Sequence, residues 1–150
     1  MTARRSGPLA SGLALVGLLI AAYLAWTKLS GGLPVCGPLH GCETVALSPY
    51  SELFGIPVAL FGVGYSIVLF GFALAWWRRG DRRALLGLYG LGLLGVLFVA
   101  YLTYLELFVI GAICVWCATY ALTIVVGWLL ASLALRRSSQ PEPGALESRS

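Results

Sequence analysis

The sequence predicts an all-α integral membrane protein: a four-transmembrane-helix bundle with an extracytoplasmic loop and a short horizontal helix between helices 1 and 2. Of the 150 residues, 59% are hydrophobic and only 11% are charged, whereas a soluble domain carries about 25% charged residues. The apolar residues form long uncharged runs, each near the roughly 20 residues with which a helix crosses a bilayer. The basic residues that give the net charge of +4 stand at the ends of these runs.

Four apolar runs are predicted to span the membrane, at residues 8–29, 56–77, 84–109 and 114–135. The first run follows a basic start, as a signal peptide does. It is long for the apolar part of one and has no evident Ala-x-Ala cleavage site, so we expect an uncleaved helix. Residues 1–137 are therefore predicted to be one membrane domain. The tail at 138–150 is rich in Ser, Pro and Glu and is predicted to be disordered and cytoplasmic.

The loop at residues 30–55 is rich in Gly and Pro, which predicts repeated turns. Within it, Ser48-Pro49 has the pattern of an N-cap followed by proline at the first helical position. We expect a short helix from there through Phe54, ending at Gly55. Its apolar side chains would let it lie on the bilayer surface or cover the mouth of the bundle.

The distribution of basic residues indicates the orientation in the membrane. Four spans place both termini on one side, and that side receives Arg4, Arg5, Arg78, Arg79, Arg82, Arg83, Arg136 and Arg137. The opposite side has only Lys28. The positive-inside rule therefore predicts cytoplasmic termini, and it explains the basic residues without a nucleic-acid partner. All four cysteines then face the outer, oxidising compartment.

The cysteines form two pairs. Cys114 and Cys117 open the fourth run, where they share one helix face and where the helix N-terminus favours a thiolate, so they are suited to cycle between dithiol and disulfide. Cys36 and Cys42 enclose a short, turn-rich segment and could close a disulfide. The loop pair is either a structural staple or a relay that passes electrons to Cys114 by thiolate attack on a disulfide.

A metal site is the alternative use of these residues, because His40 and four cysteines could bind zinc. The loop pair is spaced Cys-x5-Cys, which differs from the Cys-x-x-Cys of zinc ribbons. The Cys-Val-Trp-Cys run lacks the following histidine that c-type haem attachment requires. We therefore expect no metal.

A thiol pair at a membrane surface has lipid-soluble quinone, ubiquinone or menaquinone, within reach as electron acceptor. Aromatic residues at helical spacings could line a slot for the ring; they are Tyr101, Tyr104, Phe108, Trp116 and Tyr120. They could equally form an interface belt or fill the bundle core. Glu106 is unusual at membrane depth, and it either reaches the interface or assists proton movement.

Together these motifs resemble a bacterial homologue of vitamin K epoxide reductase (VKOR). The resemblance rests on Cys36-x5-Cys42, on Ser48, on the Phe54-Gly55-Ile56-Pro57 run and on Cys114-Val115-Trp116-Cys117 opening the last helix. It implies a four-helix bundle around a quinone in the bacterial inner membrane. It also implies a periplasmic thioredoxin-like (DsbA-like) protein as the source of electrons.

The resemblance assigns separate roles to the cysteines. Cys36 would exchange with the partner, Cys42 would pass electrons to Cys114 through an interloop disulfide, and Cys117 would reduce the quinone. Ser48 matches a hydroxyl position thought to assist near the quinone. The implied function is a quinone-dependent thiol-disulfide oxidoreductase that reoxidises its partner and so supports disulfide-bond formation.

Two departures from the family pattern stand out. The sequence ends at Ser150 without the fused thioredoxin-like domain of some bacterial members, so we expect a separate partner. Animal members of the family have a Thr-Tyr-Ala run soon after the Cys-x-x-Cys. Here Thr119-Tyr120-Ala121 stands one residue earlier than in that pattern, although Tyr120 still shares the helix face of Cys117. The alternatives are a thiol-driven reductase of vitamin K quinone or epoxide, and a non-catalytic membrane protein with structural disulfides or a metal site.

Overall fold

The computed structural model describes residues 2–38 and 40–140 of the chain. The long helices are α1 (Thr2–Leu29), α3 (Val58–Arg79), α4 (Arg82–Tyr104) and α5 (Val115–Ser139). Between α1 and α3 lie the short helix α2 (Gly41–Leu47), a 3-10 turn (Pro49–Ser51) and the strands β1 (Glu52–Leu53) and β2 (Ile56–Pro57). A π-helical turn (Leu105–Ile110) extends α4.

The four long helices are each long and apolar enough to cross a membrane, with mean hydropathy between 1.9 and 2.2. The predicted four-helix membrane bundle is therefore confirmed. The helix ends differ from the predicted limits by a few residues, because the hydrogen-bonded backbone continues past the apolar run into the flanking arginines. Helix α5 runs through Ser139, past the predicted start of the tail, and residues 141–150 lie outside the described residues.

The helices pack in a ring, in which α1 contacts α3 and α5, and α4 contacts the same two helices. Small residues allow close packing of helices, as is usual in membranes. Ala73 and Ala131 have no exposed surface. In α4, Gly92 faces Trp128 and Gly95 faces Tyr65, so closely that a Cβ atom would stand at 3.0 Å or less from their side chains. Gly92 and Gly95 therefore serve helix contact.

The two ends of the bundle differ in their connections. One end, here called the arginine end, holds the turn between α3 and α4. Gly80 ends α3 in the left-handed conformation with φ 63°, and the Asp81 side chain accepts a hydrogen bond of 3.0 Å from the Arg83 N–H at the start of α4. The opposite end, here called the cysteine end, holds all other connections and all four cysteines.

The predicted helix after Ser48 is wrong in its position. The short helix of the loop, α2, lies before Ser48, and the Ser48 hydroxyl donates back to the Val45 carbonyl at 2.7 Å, so the serine caps the C-terminus of α2. Only the 3-10 turn follows it. The next residues form the β1–β2 hairpin, whose central residues Phe54 and Gly55 have φ of 55° and 79°. A Ser-Pro pair predicts a helix start, but serine hydroxyls also bond backward to a preceding carbonyl.

Candidate functional site

The first half of the site is the start of α5. Cys114 is the N-cap of this helix, with extended backbone at φ −90° and ψ 119°, and its carbonyl accepts a hydrogen bond from the Ala118 N–H at 2.9 Å. Cys114 is 2% exposed, whereas Cys117 is only partly buried. Both thiols are free. The pair therefore stands at a helix N-terminus, where backbone N–H groups stabilise a thiolate.

The π-helical turn before α5 brings Glu106 to the two thiols. This turn ends at Gly111, which has φ 72°, and the Ala112 N–H donates to the Glu106 carbonyl at 3.0 Å. The Glu106 side chain is 7% exposed. Its Oε2 accepts a hydrogen bond from the Cys114 N–H at 3.3 Å, and Glu106 and Cys117 line the same cavity. π-Turns of this kind occur often at functional sites.

These surroundings lower the pKa of Cys114 to about 7. The largest cause is the hydrogen bond from the Cys117 thiol to the Cys114 sulfur, and the backbone N–H groups of Cys117 and Trp116 act in the same direction. Burial and the nearby carboxylate of Glu106 oppose the shift. A substantial fraction of Cys114 is therefore thiolate, the nucleophilic form, at neutral pH.

The second half of the site is the disulfide between Cys36 and Cys42, whose Cα atoms are 6.0 Å apart. The two sulfurs differ in access, because Cys42 is 1% exposed while Cys36 is only partly buried. The Sγ atoms of Cys36, Cys42 and Cys114 all lie within 4.8 Å of one another. The structure thus brings the loop pair and the helix pair together at one end of the bundle.

Gly41 permits the close approach between Cys42 and Cys114. A Cβ atom at Gly41 would overlap the carbonyl group of Ile113, the residue before Cys114. Only glycine therefore lets the backbone of the loop lie against the backbone leading into α5. The glycine-rich loop composition predicted turns, and it gave no signal for this contact.

Trp116 and Tyr23 hold the segment that precedes Cys36. The indole Nε1–H of Trp116 donates to the Val35 carbonyl at 2.9 Å, and the Val35 N–H donates to the Tyr23 hydroxyl at 3.1 Å. The Tyr23 and Trp116 rings have centroids 4.9 Å apart. The loop is thus hydrogen-bonded to α1 and α5 one residue before its first cysteine.

A cavity of about 410 Å³ lies beside the thiols, within the range of small-molecule sites. Its walls are mainly apolar side chains of the four long helices and the loop. The predicted site residues that line it are Cys42, Ser48, Cys114, Cys117 and Tyr120. Cys36 does not line it. The size, the apolar walls and the thiol of Cys117 fit the ring of a lipid-soluble quinone.

The Tyr120 hydroxyl stands at the cavity and is hydrogen-bonded. It lies 3.1 Å from the hydroxyl of Ser66, which has no exposed surface, and it donates to the Gly62 carbonyl at 3.4 Å. Sequence reasoning missed Ser66. The sequence did contain a pattern that indicates it: Gly62 and Ser66 are four residues apart in an apolar span, so they share one helix face, on which Ser66 is polar.

Lys28 lines the cavity, and sequence reasoning used it only as a topology signal. Its ammonium group donates to the Ala46 carbonyl at 2.7 Å and to the Ser51 hydroxyl at 3.1 Å, and it pairs with Glu52 at 3.5 Å. Lys28 thus connects the end of α1 to the segment that covers the cavity. The sequence pattern that could have indicated this role is a single basic residue at the end of an apolar run.

The predicted aromatic slot differs from the cavity that the structure contains. Tyr101, Tyr104 and Phe108 are 55%, 56% and 74% exposed on the outside of the bundle, and they do not line the cavity. Trp116 is not a lining residue either. Helical spacing showed which residues share a face, but the packing of α4 directs its other face, with Val99 and Leu102, to the cavity.

The three neighbouring sulfurs also bear on the metal alternative. A metal would need thiolates, and the disulfide between Cys36 and Cys42 leaves Cys114 as the free thiol among the three. The arrangement can instead exchange disulfides, because a thiolate stands next to a disulfide. Cys117 follows one helical turn after Cys114 and lines the cavity, so exchange could continue from the loop pair to the helix pair.

Comparison with known proteins agrees with this chemistry. The model of the vitamin K epoxide reductase family matches residues 8–132, which include all four long helices in large part and all four cysteines. A search of curated proteins found no significant match. The matched segment covers most of the sequence and contains both halves of the site. The chain therefore belongs to the vitamin K epoxide reductase family, whose members are thiol-based redox proteins of membranes.

Proposed function

We propose that the protein is a quinone-dependent thiol-disulfide oxidoreductase that reoxidises a thioredoxin-like protein and so supports disulfide-bond formation. The observation that carries the proposal is the position of Cys114. Its sulfur lies within 4.8 Å of both loop sulfurs, while Cys117, one helical turn on, lines the apolar cavity.

The exposure of the loop cysteines supports an order of events. A thiolate of the partner attacks Cys36, the more accessible sulfur, and Cys42 leaves as a thiolate. The second partner thiol then attacks the mixed disulfide, so the partner is oxidised and the loop is a dithiol. Thiolate exchange of this kind needs no metal.

The internal transfer uses the short distance to Cys114. Starting from a Cys114–Cys117 disulfide, the Cys42 thiolate attacks Cys114, and Cys117 leaves with the electron pair. Cys36 then attacks Cys42, which restores the loop disulfide and releases Cys114. The result is an oxidised loop and a reduced helix pair, which is the arrangement described above.

The cavity supports a quinone as the final acceptor. A bound quinone would accept two electrons and two protons. The residues of this chain would hold and orient it: apolar side chains from the four helices would exclude water, and Tyr120 and Ser48, which line the cavity, would supply polar contacts. Cys117 presents its sulfur to the cavity, and Cys114 closes the disulfide with Cys117 as the electrons leave.

The charge distribution supports a location in the bacterial inner membrane, with the cysteine end in the periplasm. The arginine end holds the turn between α3 and α4, with Arg78, Arg79, Arg82 and Arg83, and it also holds the C-terminal end of α5. By the positive-inside rule this end and both termini are cytoplasmic. A periplasmic thioredoxin-like protein would then meet Cys36.

The decisive experiment uses the purified protein in detergent, a reduced thioredoxin-like protein and either ubiquinone or menaquinone. Quinone reduction should depend on the partner and should fall to background in Cys117→Ala. The same variant should accumulate a Cys42–Cys114 disulfide, visible by non-reducing mass spectrometry. A matched control is Ser138→Ala at the arginine end, which should leave turnover unchanged.

Four outcomes would contradict the proposal. Undiminished turnover in Cys117→Ala would exclude the electron path, and a trapped Cys36–Cys114 disulfide would reverse the roles of the loop cysteines. Reduction of vitamin K epoxide in preference to quinones would favour the epoxide reductase instead. If no acceptor is reduced, disulfides that resist mild reductant would indicate structural staples.

A further inference from the structure

Glu106 is a buried acid that the electron path does not use. Among the residues that the structure describes, it is the one acidic side chain classed as buried, at 7% exposure. It stands in the π-helical turn at the cysteine end and lines the same cavity as Cys117. Burying a carboxylate at membrane depth is costly, so such residues usually have a partner or a function.

The partners of Glu106 are the two cysteines of the helix pair. Its Oε2 accepts the Cys114 N–H at 3.3 Å, and its side chain interacts with the Cys117 thiol, which lines the same cavity. The Cys114 sulfur and this carboxylate are the two groups with which the Cys117 thiol interacts. A carboxylate beside a thiol in the same cavity is placed to take its proton.

Most of the other titratable groups that line the cavity have partners elsewhere. Lys28 pairs with Glu52, and the Tyr65 hydroxyl donates to the Leu91 carbonyl at 2.7 Å. The Tyr120 hydroxyl contacts Ser66 and Gly62, as described above. Cys42 lies in the loop disulfide and does not titrate, and Tyr50 belongs to the 3-10 turn of the loop and is 46% exposed. Among the described residues, Glu106 is thus the acidic side chain that lines the cavity with Cys117.

We propose, on the basis of the function proposed above, that Glu106 is a catalytic residue that accepts the proton of Cys117 as this thiol is oxidised. When the Cys114–Cys117 disulfide forms, two electrons leave the sulfurs for the acceptor. The Cys117 proton moves to the Glu106 carboxylate and from there to the reduced acceptor. The acceptor takes its second proton from water, which balances the proton that Cys114 lost to water on becoming a thiolate.

The first test needs no quinone. In a Cys114→Ala background, Cys117 cannot form a disulfide with residue 114, and the backbone N–H that Glu106 accepts is retained. Mass spectrometry measures the rate at which N-ethylmaleimide alkylates Cys117, at pH values between about 6 and 8. With Glu106 present, this alkylation rate should be nearly independent of pH, because the thiol proton passes from Cys117 to Glu106. In Glu106→Gln it should rise about tenfold per pH unit, because only hydroxide then forms the thiolate.

The matched variants separate proton transfer from structure. Glutamine can still accept the Cys114 N–H, so a purely structural role predicts the same pH profile in both proteins. Glu106→Asp keeps a carboxylate and should keep the flat profile. Glu43→Gln, an exposed acid of α2, should also keep it. The proposal would be overturned if the alkylation rate of Cys117 had the same pH profile with Glu106 as with Glu106→Gln. It would also be overturned if Glu106→Asp gave a profile as steep as that of Glu106→Gln.

The second test uses quinone reduction by the fully reduced protein in a single turnover. Glu106→Gln should slow this step about 100-fold near neutral pH, since general base catalysis contributes factors of this size, and alkaline pH should restore the rate. A slow rate that alkaline pH does not restore would overturn the role of Glu106. If the unaltered protein reduces no quinone, the proposed function fails, and the alkylation profile still decides whether Glu106 takes the proton.

Discussion

The arginine end and the cysteine end of the bundle contain the same helices, but the backbone is regular at the first and irregular at the second. At the arginine end, a left-handed Gly80 and an Asp81 cap join two regular helices in a tight turn. At the cysteine end, the chain has a π-helical turn, an extended Cys114 and a glycine that lies against a backbone carbonyl. Irregular backbone at membrane depth is found where it lines a cavity, so the departure from regular helix marks the site.

The same substitution at the two ends should have different consequences. In Gly41→Ala, the added Cβ overlaps the Ile113 carbonyl and must displace the loop from α5. We expect formation of the Cys42–Cys114 disulfide in the Cys117→Ala background to slow about 100-fold, because a misplacement of about 1 Å can have this effect on a reaction rate. Quenched-flow alkylation and mass spectrometry would measure the rate.

Gly7→Ala is the matched change towards the arginine end, where the added Cβ would stand 3.0 Å from Trp77 Cδ1. Overpacking of this kind costs about 1–3 kcal/mol of the free energy of unfolding. The variant should therefore unfold more easily and exchange disulfides at the normal rate. Equal exchange rates in the two alanine variants would show that the Gly41 contact does not position the cysteines.

The pH dependence of Cys114 is a second property of the cysteine end, because its low pKa results first from Cys117 and then from the backbone N–H groups at the start of α5. With a pKa of about 7, the thiolate fraction should rise about tenfold between pH 6 and pH 8 and then level off. Reactivity is thus present above the pKa and lost as pH falls through it. Site-resolved alkylation of Cys114 would give the midpoint.

Cys117→Ala is the control for this titration. It removes the largest cause of the low pKa, the hydrogen bond from the Cys117 thiol. The midpoint should therefore move upward, towards the ordinary value of a cysteine. A midpoint that stays near 7 would assign the shift to the backbone N–H groups alone.

The smallest effect is expected for the hydrogen bond between Trp116 and the Val35 carbonyl. Trp116→Phe keeps an aromatic ring beside Tyr23 and removes the donor. A net hydrogen bond contributes about 0.5–1.5 kcal/mol, so the internal disulfide exchange should slow by a factor of roughly 2 to 10. Tyr23→Phe removes the other hydrogen bond of Val35 and should act in the same direction.

The quinone affinity separates this role from the one expected from the sequence. If Trp116 acts only on the loop, the KM for quinone should be unchanged in Trp116→Phe while the exchange rate falls. A raised KM with normal exchange would instead return Trp116 to the predicted aromatic slot.

The membrane architecture could be predicted from the sequence because it depends on local quantities. Uncharged runs of about 20 residues must form helices in a bilayer, since every backbone polar group needs a partner within the segment. The spacing of Cys114 and Cys117 likewise placed both on one face at a helix start. The loop was harder, because Ser48-Pro49 is compatible both with the start of a helix and with the end of one.

The assembly of the site was decided by tertiary structure. Helical spacing grouped Tyr101, Tyr104 and Phe108 on one face of α4 and the π-helical turn that extends it. Only packing against α3 and α5 determined that this face is exposed. The meeting of Gly41 with Ile113 and of Trp116 with Val35 joins residues far apart in the chain. The sequence alone thus determined the four spans and the two cysteine pairs, through hydrophobic length and spacing. Which groups surround the sulfurs depends on long-range contacts, which local patterns do not encode.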